Sequence, residues 1–244
     1  MVDLHCHILP GVDDGAYSMA DALDMARIAA ASGVRAIAAT PHCNVPGSPM
    51  PNYTGETLLA RFAELRGAID AAGIPLELHT GAEVFCTPQV GDLLRDQVLL
   101  PLAGSRYLLT EFFFDESPEF MDHCFHRISR QGYIPVVAHP ERYDAVQRNP
   151  QLVQRWFHEG RIIQLNKGTI LGNLGSRSQI AAQWILRHGL AHIVASDAHG
   201  TTHRTPHMGQ IRRHLEERCG PGYTRLLLST NPGRILRDQE TVQP

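Results

Sequence analysis

His5 and His7 stand two residues apart in the stretch DLHCHILPGVDDGA, and Asp197 and His199 repeat that spacing near the far end of the chain. On a β-strand alternate side chains share a face, so each pair can offer two donors to one ion, while Cys6 points away and reads as a small packed hydrophobe. Imidazole and carboxylate together suit Zn, Mn or Fe rather than Ca or Mg alone. His42, Glu83, Glu111 and His139 add further donors, in a chain with 14 histidines. Taken singly, each is better read as a surface or hydrogen-bonded core residue. Taken together they exceed what one ion needs and point to a metal centre.

Their positions follow from the elements that must carry them. Strand-like apolar runs occupy Val2–His7, Val34–Thr40, Leu76–Glu83, Tyr107–Phe113, Ile134–His139, Ile162–Asn166 and Ala191–Asp197. Between them lie amphipathic stretches, Met19–Ser32, Gly55–Ala72, Pro118–Gln131, Pro150–Glu159, Ser178–His188 and Pro206–Arg218, with apolar residues at helical spacing. Gly33, Gly73, Gly132, Gly160 and Gly189 close five of these helices, where a left-handed residue is needed. Strand and helix alternating about seven times predict a parallel α/β sheet, either doubly wound or closed into a barrel. The candidate donors sit at strand ends, and in a barrel all carboxyl ends of the strands open on one face.

These residues carry a resemblance. DLHCHILPGVDDGA, Thr40–His42 (TPH), Gly81–Glu83 (GAE), His139–Tyr143 (HPERY) and Ser196–His199 (SDAH) resemble the PHP superfamily, and more narrowly its CpsB/CapC-type manganese-dependent bacterial protein-tyrosine phosphatases. The resemblance runs from Asp3 to about Arg204 and implies a distorted (β/α)7 TIM-like barrel with a three-metal site. It implies one ion on His5, His7, Glu83 and Asp197, a second on Glu83, Glu111 and His139, and a third on Asp14, His42 and His199. Asp13 is the less expected ligand of the Asp13–Asp14 pair, and turn capping beside Gly11 and Gly15 weighs equally with a role in the site. The implied metal is Mn, although Fe and Zn share these ligands.

Three divalent ions would outweigh the four carboxylates among these ligands, leaving a positive cup suited to a phosphate monoester of roughly −1.5 to −2 charge. Water bridging such ions loses a proton readily and becomes the nucleophile. Arg142 and Arg204 fall on rim loops of the same face, and the guanidinium fork matches phosphate oxygens; the resemblance implies that role for both. The opening ILPGVDDGA favours the tyrosine-phosphatase branch over a phosphatase for small phosphomonoesters such as histidinol phosphate. A PHP nuclease and a metal-bound regulatory subunit without turnover are the other readings. The implied partner is a phosphotyrosine-bearing protein, the Tyr-rich tail of a bacterial tyrosine kinase that controls capsule or exopolysaccharide synthesis.

A competing motif must be set aside. His123, Cys124 and Arg130 spell the H-C-x5-R signature of cysteine-based tyrosine phosphatases. The residues between contain no Gly to turn successive N–H groups around an anion, and the segment reads as mid-helix.

The remaining features bound the class. With 244 residues and no linker or repeat, the chain is expected to form one domain over 1–244, with a polar tail after about 236 that is expected to be disordered. A net charge of −3 gives no general pull toward nucleic acid or membrane. No apolar stretch approaches spanning length, and the motif starts too near Met1 for a secretory leader to be expected. Five irregularly spaced cysteines suggest a reducing, cytoplasmic setting. Lys167, the sole lysine, follows the sixth strand on the presumed site face; its role, like those of His203 and His207, is open.

Overall fold

The computed structural model describes residues 1–243. Among these residues there are nine parallel strands: β1 (Val2–Cys6), β2 (Ala36–Ala39), β3 (His42–Cys43), β4 (Glu77–Thr80), β5 (Glu83–Phe85), β6 (Tyr107–Glu111), β7 (Ile134–Ala138), β8 (Ile162–Asn166) and β9 (Ile193–Ala195). They pair as β1-β2-β4 and as β3-β5-β6-β7-β8-β9. The seven expected stations are therefore present, but two of them are broken. The second continues past Thr40–Pro41 into β3, and the third is interrupted at Gly81–Ala82 between β4 and β5.

The break falls at Pro41 and Gly81. Pro41 has no N–H to give a ladder, and a Cβ at Gly81 would lie 3.1 Å from Leu102 and 3.2 Å from Thr40. The strands consequently do not close into one continuous hydrogen-bonded barrel. The two edges still meet beside the first motif: Cys6 bridges Ala198, His7 N–H donates to Ala198 O at 2.9 Å, and Asp197 N–H donates to His5 O at 2.8 Å.

Helices cover the outer face, as the amphipathic segments predict. Met19–Ala31 starts with a reciprocal cap between Ser18 and Asp21, and Pro118–Arg130 starts with a Ser117 cap and Pro at its first position. All five expected cap glycines have positive φ, between 63° and 93°. One apolar cluster lies between strands and helices, and includes Cys6, Met25, Phe62, Phe125 and Trp156. A second, Leu4, Ala38, Leu109, Val136, Ala138, Ile162 and Ile193 among others, fills the space enclosed by the strands. Above this inner plug, at the carboxyl ends of the strands, the candidate donors converge.

Residues 237–243 fold back on the body. Asp238 Oδ1 accepts from Arg106 N–H at 2.9 Å, Gln239 O accepts from Tyr107 OH at 2.9 Å, and Val242 exchanges two hydrogen bonds with the Asn231 side chain. Among the described residues no helix is long and apolar enough to cross a membrane, and all five cysteines are free.

Candidate metal centre

Glu83, at the start of β5, is the hub of the strand-end cup. It is buried, yet its two carboxylate oxygens lie 3.2 Å from His5 Nε2, 3.3 Å from His7 Nε2, 3.1 Å from His42 Nδ1 and 2.9 Å from His139 Nε2. Glu111, ending β6, reaches His42 Nδ1 at 3.3 Å and His139 Nε2 at 3.8 Å. From the far end of the chain, Asp197 Oδ1 lies 3.4 Å from His5 Nε2 and 3.6 Å from His7 Nε2. Asp14 completes the rim, 3.5 Å from His42 Nε2 and 3.4 Å from His199 Nε2. All nine candidate donors thus meet in one cup, whose open space is about 160 Å³.

The grouping differs in detail from the expected sets. His7 sits with Asp14, His42 and His199 as well as with His5 and Glu83, and His42 also sits with Glu83 and Glu111. The His7 and His199 rings are only 3.8 Å apart between centroids. His7 and His42 therefore stand between subsites, a division the linear spacing does not contain.

Local backbone explains several placements. Val136 and Ala138 point into the inner plug, so strict alternation would aim His139 outward; its left-handed backbone (φ 35°) returns the ring to Glu83. Asp197 (φ 50°) and Arg204 (φ 47°) are also left-handed. Such conformations cost about 1–3 kcal/mol each in non-glycine residues and concentrate at functional sites. The opening loop is fixed by close approach: a Cβ on Gly15 would fall 2.0 Å from His7 O, so only Gly lets the chain return beside His7. That return brings Asp13 to His7, and Asp13 is more than a turn cap. Its Oδ2 accepts from His7 Nδ1 at 2.7 Å and from His42 N–H at 3.0 Å, while Oδ1 accepts from Gly15 N–H at 3.0 Å.

Sequence reasoning also passed over Gln164 and Asn166. Gln164 Oε1 meets His5 Nδ1 at 2.9 Å, and Asn166 Nδ2 donates to Asp197 Oδ2 at 2.6 Å. Their signal was present: polar residues alternate with Ile and Leu in a strand buried along its whole length. Lys167 is placed too. Its buried ammonium donates to the carbonyls of Thr205 and His207, tying down the loop that carries Arg204. His203 and His207 contribute no side-chain donor to the cup. Arg142 Nη1 lies 3.5 Å from Asp197 Oδ2, and Arg204 Nη2 lies 2.7 Å from Asp197 Oδ1.

The chemistry of the donor set fits divalent cations. Asp13 and Gln164 oxygens engage the Nδ1 atoms of His7 and His5, so the Nε2 lone pairs of the two rings face each other 3.1 Å apart. Lone pairs at that distance repel unless a cation or a proton lies with them. Buried atoms of His42, Glu83, Asp197 and His199 also lack any hydrogen-bond partner and belong to this same cup.

Titration shifts show the same demand for positive charge. Burial alone would lower His42, but Glu111 and Glu83 push it up to about 11. Burial opposes protonation of His7 as well, yet its hydrogen bond with Asp13 and the nearby Glu83 carboxylate raise it to about 9. For Glu83 burial favours the neutral acid, and the surrounding imidazoles, His5 first, hold it well below the ordinary range.

Cys124 is buried within Pro118–Arg130, and burial pushes its thiol up to about 12. A thiol so placed is neither exposed nor ionised, as a nucleophile must be.

A ring of parallel strands carrying a cup of imidazoles and carboxylates at their carboxyl ends defines a barrel-type protein of the metal-dependent hydrolase class. The chain belongs to the capsular polysaccharide synthesis CpsB/CapC family, whose model matches residues 1–237. It is 35% identical over 241 residues to the tyrosine-protein phosphatase YwqE of Bacillus subtilis, covering 98% of this chain and 92% of that protein. It is 30% identical over 244 residues to the tyrosine-protein phosphatase CpsB of Streptococcus pneumoniae, covering 98% and 99%. A solved structure described with those two proteins as unique metal-dependent tyrosine phosphatases superposes with a TM-score of 0.92 at 33% identity, over 100% of this chain and 97% of that one. A β-aspartyl dipeptidase from Fervidobacterium islandicum shares the fold alone, with a TM-score of 0.52 at 14% identity, over 96% and 72%.

Proposed function

We propose that this chain is a metal-dependent protein-tyrosine phosphatase whose 1–244 span acts as one catalytic unit. The observation that carries the reading is the cup itself: nine imidazole and carboxylate donors meet around Glu83 with two arginines at its mouth. The family and its tyrosine-phosphatase relatives support the substrate class. His5, His7, Glu83 and Asp197 would hold one divalent ion, Glu83, Glu111 and His139 a second, and Asp14, His42 and His199 a third, with Mn the expected metal. When bound, such ions supply Lewis-acid charge to a phosphoryl group and lower the pKa of water.

The protein's own groups do the rest. Arg142 and Arg204 present guanidinium forks to phosphoryl oxygens and, before substrate arrives, rest against Asp197. Asp13, Gln164 and Asn166 fix the orientation of His7, His5 and Asp197, so the donor atoms are preorganised. Glu83 touches four imidazoles from three separate segments and ties the subsites into one unit. The phosphoprotein substrate is the Tyr-rich tail of a bacterial tyrosine kinase that controls capsule or exopolysaccharide synthesis, met in the cytoplasm.

Hydrolysis of a phosphotyrosyl peptide by the Mn-loaded protein, lost with chelator and restored by Mn, tests this reading. Preferential turnover of histidinol phosphate would replace it with the small-phosphomonoester activity. A fully metal-loaded protein that turned over neither would instead be a regulatory subunit.

A further inference from the structure

The chain leaves β6 through three consecutive phenylalanines with different fates. Phe112 is buried, with its ring edge-on to Phe125. Phe113 packs edge-on to Phe85 with ring centroids 4.5 Å apart and is 53% exposed, but outside the lining of the cup. Phe114 instead turns to the cup and remains 41% exposed. The Arg142 guanidinium lies over its ring at 4.3 Å, and the His139 ring stands edge-on to it at 6.2 Å. Its backbone is held as well, since Asp144 N–H donates to Phe114 O at 2.8 Å.

Every other residue lining the cup is His, Glu, Asp or Arg. A phosphate monoester entering it must turn its charged oxygens toward those groups and its organic substituent toward the mouth. There Phe114 offers the one large apolar surface of the lining, and leaving that surface wet costs free energy that contact with an apolar group recovers.

We propose that Phe114 is a specificity-determining residue that packs against the aromatic ring of an aryl phosphate while Arg142, stacked on the same side chain, holds the phosphoryl group. Offset or edge-on contact between two rings favours an aryl ester, whereas the single methylene of a phosphoserine is too short to make it. The inference rests on the phosphatase reading above and gives it a basis for choosing phosphotyrosine.

Equilibrium binding separates the two claims. Phenylphosphonate and methylphosphonate, which carry the same acid and cannot be hydrolysed at an ester bond, are titrated calorimetrically into the Mn-loaded protein. The wild type is expected to bind the phenyl compound about tenfold more tightly, and Phe114→Ala to narrow that ratio to about twofold with the methyl compound little changed. Phe114→Tyr, which keeps the ring, should keep the ratio. A ratio that survives in Phe114→Ala, or an equal weakening of both ligands, would mean that the ring only supports Arg142, and the proposal would fall. Wild-type turnover of a phosphotyrosyl peptide is scored separately. Its absence beside an intact binding ratio would count against the phosphatase reading and not against ring recognition.

Discussion

His7 Nδ1 donates to Asp13 Oδ2 at 2.7 Å, and this bond decides which nitrogen His7 turns into the cup. A carboxylate can only accept, so Nδ1 keeps its proton and Nε2 is left as the donor atom for an ion. Partners of this kind typically contribute 10–100-fold in metal affinity. Asp13→Ala is therefore expected to weaken Mn binding by roughly 10–100-fold while leaving far-UV circular dichroism unchanged. Competition with a chromophoric chelator measures it, and wild-type affinity would show that Asp13 serves the turn only.

Protons and ions compete for the same cup. In the metal-free protein His7 titrates at about 9 and His42 at about 11, both above the ordinary imidazole value. A group whose folded pKa is raised adds stability in full below its unfolded pKa and loses it as pH rises through the folded one. The melting temperature of chelator-treated protein should therefore decline as pH rises from about 6.5 through about 9 toward about 11. Metal-loaded protein should not show that decline, because ligation requires neutral imidazole and binding releases protons. Thermal scans against pH, with and without Mn, test this; parallel curves for the two forms would contradict it.

Lys167 acts on the site from a distance by holding the carbonyls of Thr205 and His207 on either side of Pro206. Lys167→Met keeps the stem and removes the donors. It is expected to lower kcat/KM on a phosphotyrosyl peptide by roughly 10–100-fold through misplacement of Arg204. Metal content should stay at the wild-type level. The 200–208 loop should be cut faster in limited proteolysis, and an unchanged cleavage rate would refute the anchoring role.

Cys124→Ser separates this protein from the cysteine-based phosphatases whose signature it mimics. Activity per bound metal should match the wild type. The buried hydroxyl should destabilise the fold by about 1–3 kcal/mol in a denaturant titration. Loss of turnover at full metal content would return Cys124 to the chemistry.

Much of the site was legible because its logic is local. HxH places side chains on one face through the two-residue repeat of a strand, and the strands run where the apolar runs predict, as with Val2–Cys6 and Ile162–Asn166. The DxH pair reaches the same cup by another route, because β9 ends at Ala195 and Asp197 (φ 50°) is left-handed. The glycines after the helices sit in left-handed conformations for the reason expected of them. The division of the second and third stations was not legible. It depends on Thr40 and Leu102 crowding Gly81 from elements distant in sequence. His139 was named correctly, but the backbone reversal that aims it at Glu83 is a tertiary outcome that alternation alone would have predicted wrongly.

The sequence by itself determined the inventory: which donors exist, that they fall at strand ends, and that parallel strands turn those ends to one side. Only the tertiary structure decided the partnerships, that Asp13 orients His7, Gln164 faces His5, Lys167 anchors the loop of Arg204, and Phe114 stands beneath Arg142. The physical reason is that strand and helix periodicities act over a few residues, whereas which side chain answers a given lone pair depends on how loops of different lengths return across the face of the sheet.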